Sequence, residues 1–132
     1  MKHRSVLALV SAAALCLCLA HAGPAQAAQS APPEAEKALT VLIEAVKNES
    51  YEAFTAQADA NVKKQLSRQQ FEGLCGLYTK PLKKGYVLEY FGQLRQRGMA
   101  VYVWKVTTPG SQEDVLVKLA IKEGKVAGVQ VM

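Results

Sequence analysis

The sequence predicts an α+β domain in which helices come first and pack on a four-stranded antiparallel meander sheet. Three observations predict it. From Tyr86 onward, four runs are dominated by β-branched and aromatic residues and are bounded by turn residues. Between Pro33 and Lys80, apolar residues recur instead at i, i+3 and i+4. The connections between the four runs are too short for the crossovers that parallel strands need.

The first run is Tyr86–Arg95, the second Met99–Thr107, the third Val115–Lys122 and the fourth Val126–Val131. Gln96-Arg97-Gly98, Pro109-Gly110-Ser111 and Glu123-Gly124-Lys125 supply the turns. Alternation assigns the faces. Val115, Val117, Leu119 and Ile121 share one face opposite Lys118 and Lys122. Glu89 marks the wet face of the first run, so Tyr86, Leu88, Tyr90 and Leu94 are expected inward. Lys105 does the same for the second and turns Tyr102, Trp104 and Val106 inward. Val87, Phe91, Val101, Val103 and Leu116 are left on the outer face, a large apolar area for a solvated sheet.

Residues 1–27 read as a secretory signal peptide. Lys2, His3 and Arg4 form a positive start, and Val6–Ala20 is an apolar run of 15 residues, short for a membrane span. Two small-x-small sites follow, Ala20-His21-Ala22 and Ala25-Gln26-Ala27, and cleavage is expected after Ala27. Leu15 and Leu17 precede the two early cysteines, where a lipoprotein signal requires a small residue. A periplasmic or secreted location follows. No later stretch is apolar and long enough to span a bilayer.

Cleavage there leaves 105 residues of the 132, the size of one small domain. Both histidines and two of the three cysteines leave with the signal, so Cys75 stands alone and no internal disulfide is expected. Taking Lys2 and Arg4 from the 16 basic residues leaves 14 against 11 acids, a net charge of +3. The acids concentrate early, and Ala60–Met132 carries twelve bases against five acids.

Residues 28–33 form a polar, proline-containing leader, expected to be flexible, ahead of a single domain over 34–132. Pro33 suits a helix start, and Ala35, Ala38, Leu39, Leu42 and Val46 form the apolar stripe of a helix over Glu34–Lys47. Asn48-Glu49-Ser50 stops it. Ser50 caps a short helix burying Tyr51 and Phe54, and Asp59 caps another turn through Val62 and Leu66. Ser67 and Gln70 form a capping box, with Leu66 and Phe71 as its hydrophobic staple. The helix that follows carries Phe71, Leu74, Cys75 and Tyr78 on one face and is expected to end at Lys80-Pro81.

A first helix, then Asn48-Glu-Ser-Tyr-Glu-Ala-Phe54, then Leu66-Ser-Arg-Gln-Gln-Phe71 leading into strands, and a last hairpin Gly124-Lys-Val-Ala-Gly128, together resemble small exported bacterial domains of the nuclear-transport-factor-like superfamily. The resemblance covers Glu34–Met132. It implies a cystatin-like α+β roll, often a homodimer and sometimes with an apolar pocket. Enzymes of that superfamily, such as ketosteroid isomerase and scytalone dehydratase, place Asp, Tyr or His in the pocket. This chain has no histidine after residue 27, and none of its residues matches their catalytic positions.

Chemistry is sparse. With no histidine and one cysteine, no transition-metal site and no cofactor are expected. Cys75 lacks a base to activate it and falls on its helix's apolar stripe, which describes a buried, inert thiol. Asp59 and Asp114 read as a cap and a turn residue, and Glu72 and Glu89 as surface charge. Tyr90, Tyr102 and Trp104 cluster on the inner face and are read as core, or as the wall of a pocket for an apolar small molecule. Phe91, Val101, Val103 and Leu116 suggest a homodimer joined sheet to sheet. A net charge of +3 and export do not describe a nucleic-acid binder, and the basic groups Lys63-Lys64-Arg68, Lys80-Lys83-Lys84 and Arg95-Arg97 read as solvated charge, or as a face for an anionic envelope surface.

The reading is an exported, non-enzymatic binding or interaction domain. Two alternatives stay open: a pocket enzyme (isomerase, dehydratase or hydrolase), and an accessory protein that binds another envelope protein through its sheet edges. The mass of the exported protein tests the first step. It should begin at Ala28, and a mass that includes residues 1–27 overturns cleavage.

Overall fold

The computed structural model describes residues 29–132; the signal-peptide expectation lies outside the described residues. Four helices precede four strands: α1 (Pro33–Lys47), α2 (Tyr51–Ala56), α3 (Ala60–Gln65) and α4 (Arg68–Lys83), then β1 (Val87–Gln96), β2 (Met99–Thr107), β3 (Val115–Lys122) and β4 (Lys125–Val131). The strands form one antiparallel sheet in the order β1-β2-β3-β4, as the short connections require. Among the described residues no helix is long and apolar enough to cross a membrane.

Local chemistry fixes the helix ends. Glu34 and Glu36 lie in the first turn of α1 and Lys47 in its last, the arrangement the helix dipole favours. Its C-terminus closes as a Schellman motif: Ser50 N–H donates to the Ala45 carbonyl at 2.8 Å and Glu49 N–H to Val46 at 3.2 Å, with Glu49 in the left-handed region at φ 54°. The Ser50 and Asp59 side chains accept from Ala53 N–H and Val62 N–H and so cap α2 and α3. At α4 both halves of the Ser67–Gln70 capping box are formed.

At the end of the leader Ala31 is buried against the core and Pro33 already belongs to α1, while Gln29 and Ser30 are exposed. The expected stop at Lys80-Pro81 is corrected: α4 runs through Pro81 to Lys83. Proline removes one donor near the helix end and biases Lys80 away from helical angles. Burial of Leu82 holds the last turn in place. It closes with shorter-range bonds from Lys84 N–H to Pro81 and from Gly85 N–H to Leu82, each 3.1 Å.

Two of the sheet's turns are tight, with Arg97-Gly98 and Glu123-Gly124 at positive φ between paired flanking residues, the geometry that matches strand twist. The β2–β3 connection begins as a type II turn, with Pro109 and Gly110 (φ 79°) at its centre and Ser111 N–H donating to Thr108 at 3.2 Å.

Register settles the faces. Tyr90 pairs with Trp104, but Gly92 pairs with Val103, so Phe91 is the extra residue of a β-bulge. Gly92 there has φ 142°, which a side chain disfavours. The bulge corrects the expectation for Leu94. Past it the alternation inverts, and Leu94 pairs with Val101 on the outer face and is exposed. The other inward assignments stand, with Tyr102, Trp104, Val106, Val117 and Leu119 in the main core and Tyr86, Leu88, Tyr90, Val115 and Ile121 packed on it.

The core lies between this inner face and the stripe Ala35, Leu39, Leu42, Ile43 and Val46 of α1. The buried Thr79 hydroxyl of α4 donates to the Val46 carbonyl at 2.7 Å and pins α4 to α1. The α2–α3 link is stitched to β4, with Asp59 N–H donating to Val126 and Val126 N–H to Gln57, each 2.8 Å. Replacing Thr79 with Val keeps the shape and removes the hydroxyl, and should lower unfolding free energy by about 1 kcal/mol in a urea titration. An unchanged midpoint would show that packing alone seats α4.

Candidate functional site

The inner face is divided by side-chain type. Paired positions on β1 and β2 carry Tyr90 and Trp104, with Tyr102 next on β2. Tyr90 and Trp104 rings lie 5.4 Å apart, and Tyr102 and Trp104 6.1 Å apart, both tilted. Trp104 is 2% exposed, and burial, with a smaller push from Tyr102, raises the Tyr90 phenol above its ordinary pKa. These three side chains fill the space beneath their own half of the sheet.

The β3–β4 half is aliphatic, and there the helices leave a cleft. Its volume is about 320 Å³. Val106, Val115, Val117, Val129 and Val131 form the sheet wall. Leu39, Leu42, Ile43 and Val46 from α1 and Leu74, Leu77, Tyr78, Pro81 and Leu82 from α4 form the other, with Phe54 of α2. Leu77 at 69% exposure and Met132 at 51% mark a mouth open to solvent. Thr108, Ser111, Glu113 and Asp114 of the β2–β3 connection provide its polar rim. The rim is locally ordered: Thr107 Oγ1 donates to Asp114 Oδ1 at 2.8 Å, and Ser111 Oγ donates to the Glu113 carbonyl at 2.8 Å. A concave, apolar cleft with a few polar groups at one end is the usual form of a small-molecule site.

None of Tyr90, Tyr102 and Trp104 lines this cleft; Tyr102 and Trp104 are buried in the core and Tyr90 is half-buried against it. The residues that do line it escape a search for aromatic clusters. The available signals are a run of inward valines on two successive strands and Leu77, an apolar residue on an exposed face of α4.

The four outer-face residues separate. Phe91 is 55% exposed, Leu116 is half-buried, and Val101 and Val103 are already covered by their own chain. Exposed Val87, Phe91 and Leu94 form the remaining apolar strip, along edge strand β1. Lys105 sits among these groups, paired with Glu89, 4.0 Å from Asp114 and 5.8 Å from the Phe91 ring centre. Its pKa is raised, chiefly by the hydrogen bond to Glu89.

Among the described residues no group of three or more His, Cys, Asp or Glu side chains could hold a metal ion. Cys75 is buried on α4, and burial raises its thiol pKa against a smaller opposing pull from Thr79. No protein-family model matches the chain, and no curated protein is significantly similar to it. A thiol so placed should react with Ellman's reagent at pH 8 more than about tenfold slower in the native protein than in guanidinium chloride. Equal rates would mark Cys75 as accessible and reactive.

Proposed function

We propose that this protein is an exported, non-enzymatic binding domain whose ligand is a small apolar molecule held in the cleft between α1, α4 and the β3–β4 half of the sheet. The observation that carries the reading is the cleft's composition: two largely apolar walls, an open mouth, and hydroxyls and carboxylates of the β2–β3 connection along one rim. Export rests on the sequence of residues 1–27. The order of elements, helices before a four-stranded antiparallel sheet, agrees with a nuclear-transport-factor-like roll.

The two carboxylates nearest the cleft, Glu113 and Asp114, lie on its rim rather than within its apolar walls. A proton-transfer enzyme gains from a desolvated carboxylate whose pKa burial has shifted. The rim position favours holding a ligand over turning it over. The strip Val87, Phe91 and Leu94 offers a surface for a homodimer or an envelope protein along the free edge of β1.

Native mass spectrometry of protein purified gently from its own compartment tests the proposal and counts subunits in the same spectrum. The expected species carries additional non-covalent mass. Val131→Trp, at a half-buried lining position, should release that mass while leaving the far-ultraviolet circular dichroism unchanged. A bare wild-type species that also fails to take up added apolar compounds would overturn the ligand and leave a protein partner.

A further inference from the structure

We infer that the cleft selects ligands by head group: its occupant is a single medium-length alkyl chain ending in a cation or a hydroxyl, and anionic amphiphiles are disfavoured. The inference rests on the cleft being a ligand site.

Length follows from volume. A water molecule's share of liquid is about 30 Å³, so a cleft of about 320 Å³ holds roughly ten groups of that size. A single chain of about ten carbons matches that space. The walls offer such a chain only aliphatic and ring carbon over most of their area, from Leu39 and Leu42 on one side to Val117 and Val129 on the other.

Head-group preference follows from the rim. All four of its polar residues are hydroxyls or carboxylates, namely Thr108, Ser111, Glu113 and Asp114, and no basic side chain lines the cleft. Asp114 is already bonded to Thr107 and lies 4.0 Å from Lys105, so part of its charge is compensated. The lysines at the end of α4, Lys80, Lys83 and Lys84, are exposed and stand outside the lining. A ligand lying along the apolar walls therefore meets acceptors and negative charge at its polar end. A hydroxyl or primary ammonium head donates to these groups and a quaternary ammonium is attracted by their charge, whereas a carboxylate or phosphate head faces like charge.

Isothermal titration of the protein purified after expression of the whole chain, at pH 7 in low salt, separates the possibilities with three probes: decyltrimethylammonium, decan-1-ol and decanoate. Decyltrimethylammonium should bind at least about tenfold more tightly than decanoate, with the alcohol between them. The paired variant Glu113→Gln and Asp114→Asn should narrow that ratio to about threefold or less. High salt should narrow it in the unmodified protein, which provides the same test should the variant fail to fold. Equal or tighter binding of decanoate overturns the head-group inference while leaving the cleft as a ligand site. A preference unmoved by both the variant and salt also overturns it, since the carboxylates would not be its source. If none of the three probes binds, the ligand-site reading itself falls.

Discussion

The structure depends on the contact between one stripe of α1 and the inner face of the sheet. Ala35, Leu39, Leu42 and Val46 are each nearly or fully buried there, as are Trp104 and Leu119 opposite them. Each large aliphatic side chain removed from water is worth about 1.5–3 kcal/mol, so this one interface outweighs any cap or ion pair in the chain. α4 is attached by way of it. It hangs on α1 through the Thr79 hydroxyl at the Val46 carbonyl, the same carbonyl that helps close the end of α1. The α2–α3 link reaches the sheet instead at the start of β4, through two backbone bonds to Val126.

That arrangement leaves packing uneven, and the unevenness makes the cleft. The aromatic residues of β1 and β2 are large enough to fill the space beneath their own strands. The valines of β3 and β4 present short side chains to the same helices. Opposite those valines the leucines of α1 and α4 do not close the gap, because α1 is already seated on the sheet and α4 on α1, which holds the backbones apart. The polar β2–β3 connection then falls at the open end of the gap.

Much of this fold was legible in the sequence for physical reasons. Strand positions follow from β-branched runs between glycine-containing turns, and helix starts follow from Ser50, Asp59 and Ser67, whose side chains can satisfy free backbone donors. What failed to show depends on tertiary context. The bulge at Phe91 is invisible to a period-two reading, which therefore sent Leu94 inward. Pro81 carries a local stop signal that burial of Leu82 overrides. Covered Val101 and Val103 look, in sequence, the same as exposed Phe91. The cleft was hidden for a related reason: aromatic residues suggest a pocket by their chemistry, but they fill volume, and the volume left open lies where residues are small.

The same logic bears on why the cleft persists. A domain of about a hundred residues has only about 5–15 kcal/mol of stability in hand, and unfilled apolar space reduces it. Leucine in place of a wall valine would close part of the gap, with no change in fold class. Small side chains on Val115, Val117, Val129 and Val131 together, facing an exposed Leu77, are thus a poor solution for packing alone and a suitable one for accommodating a guest. A ligand that binds only the folded chain returns the missing contacts and stabilises it by mass action. A ligand in the proposed site would then tie α4 directly to the sheet, which α4 otherwise reaches mainly through α1.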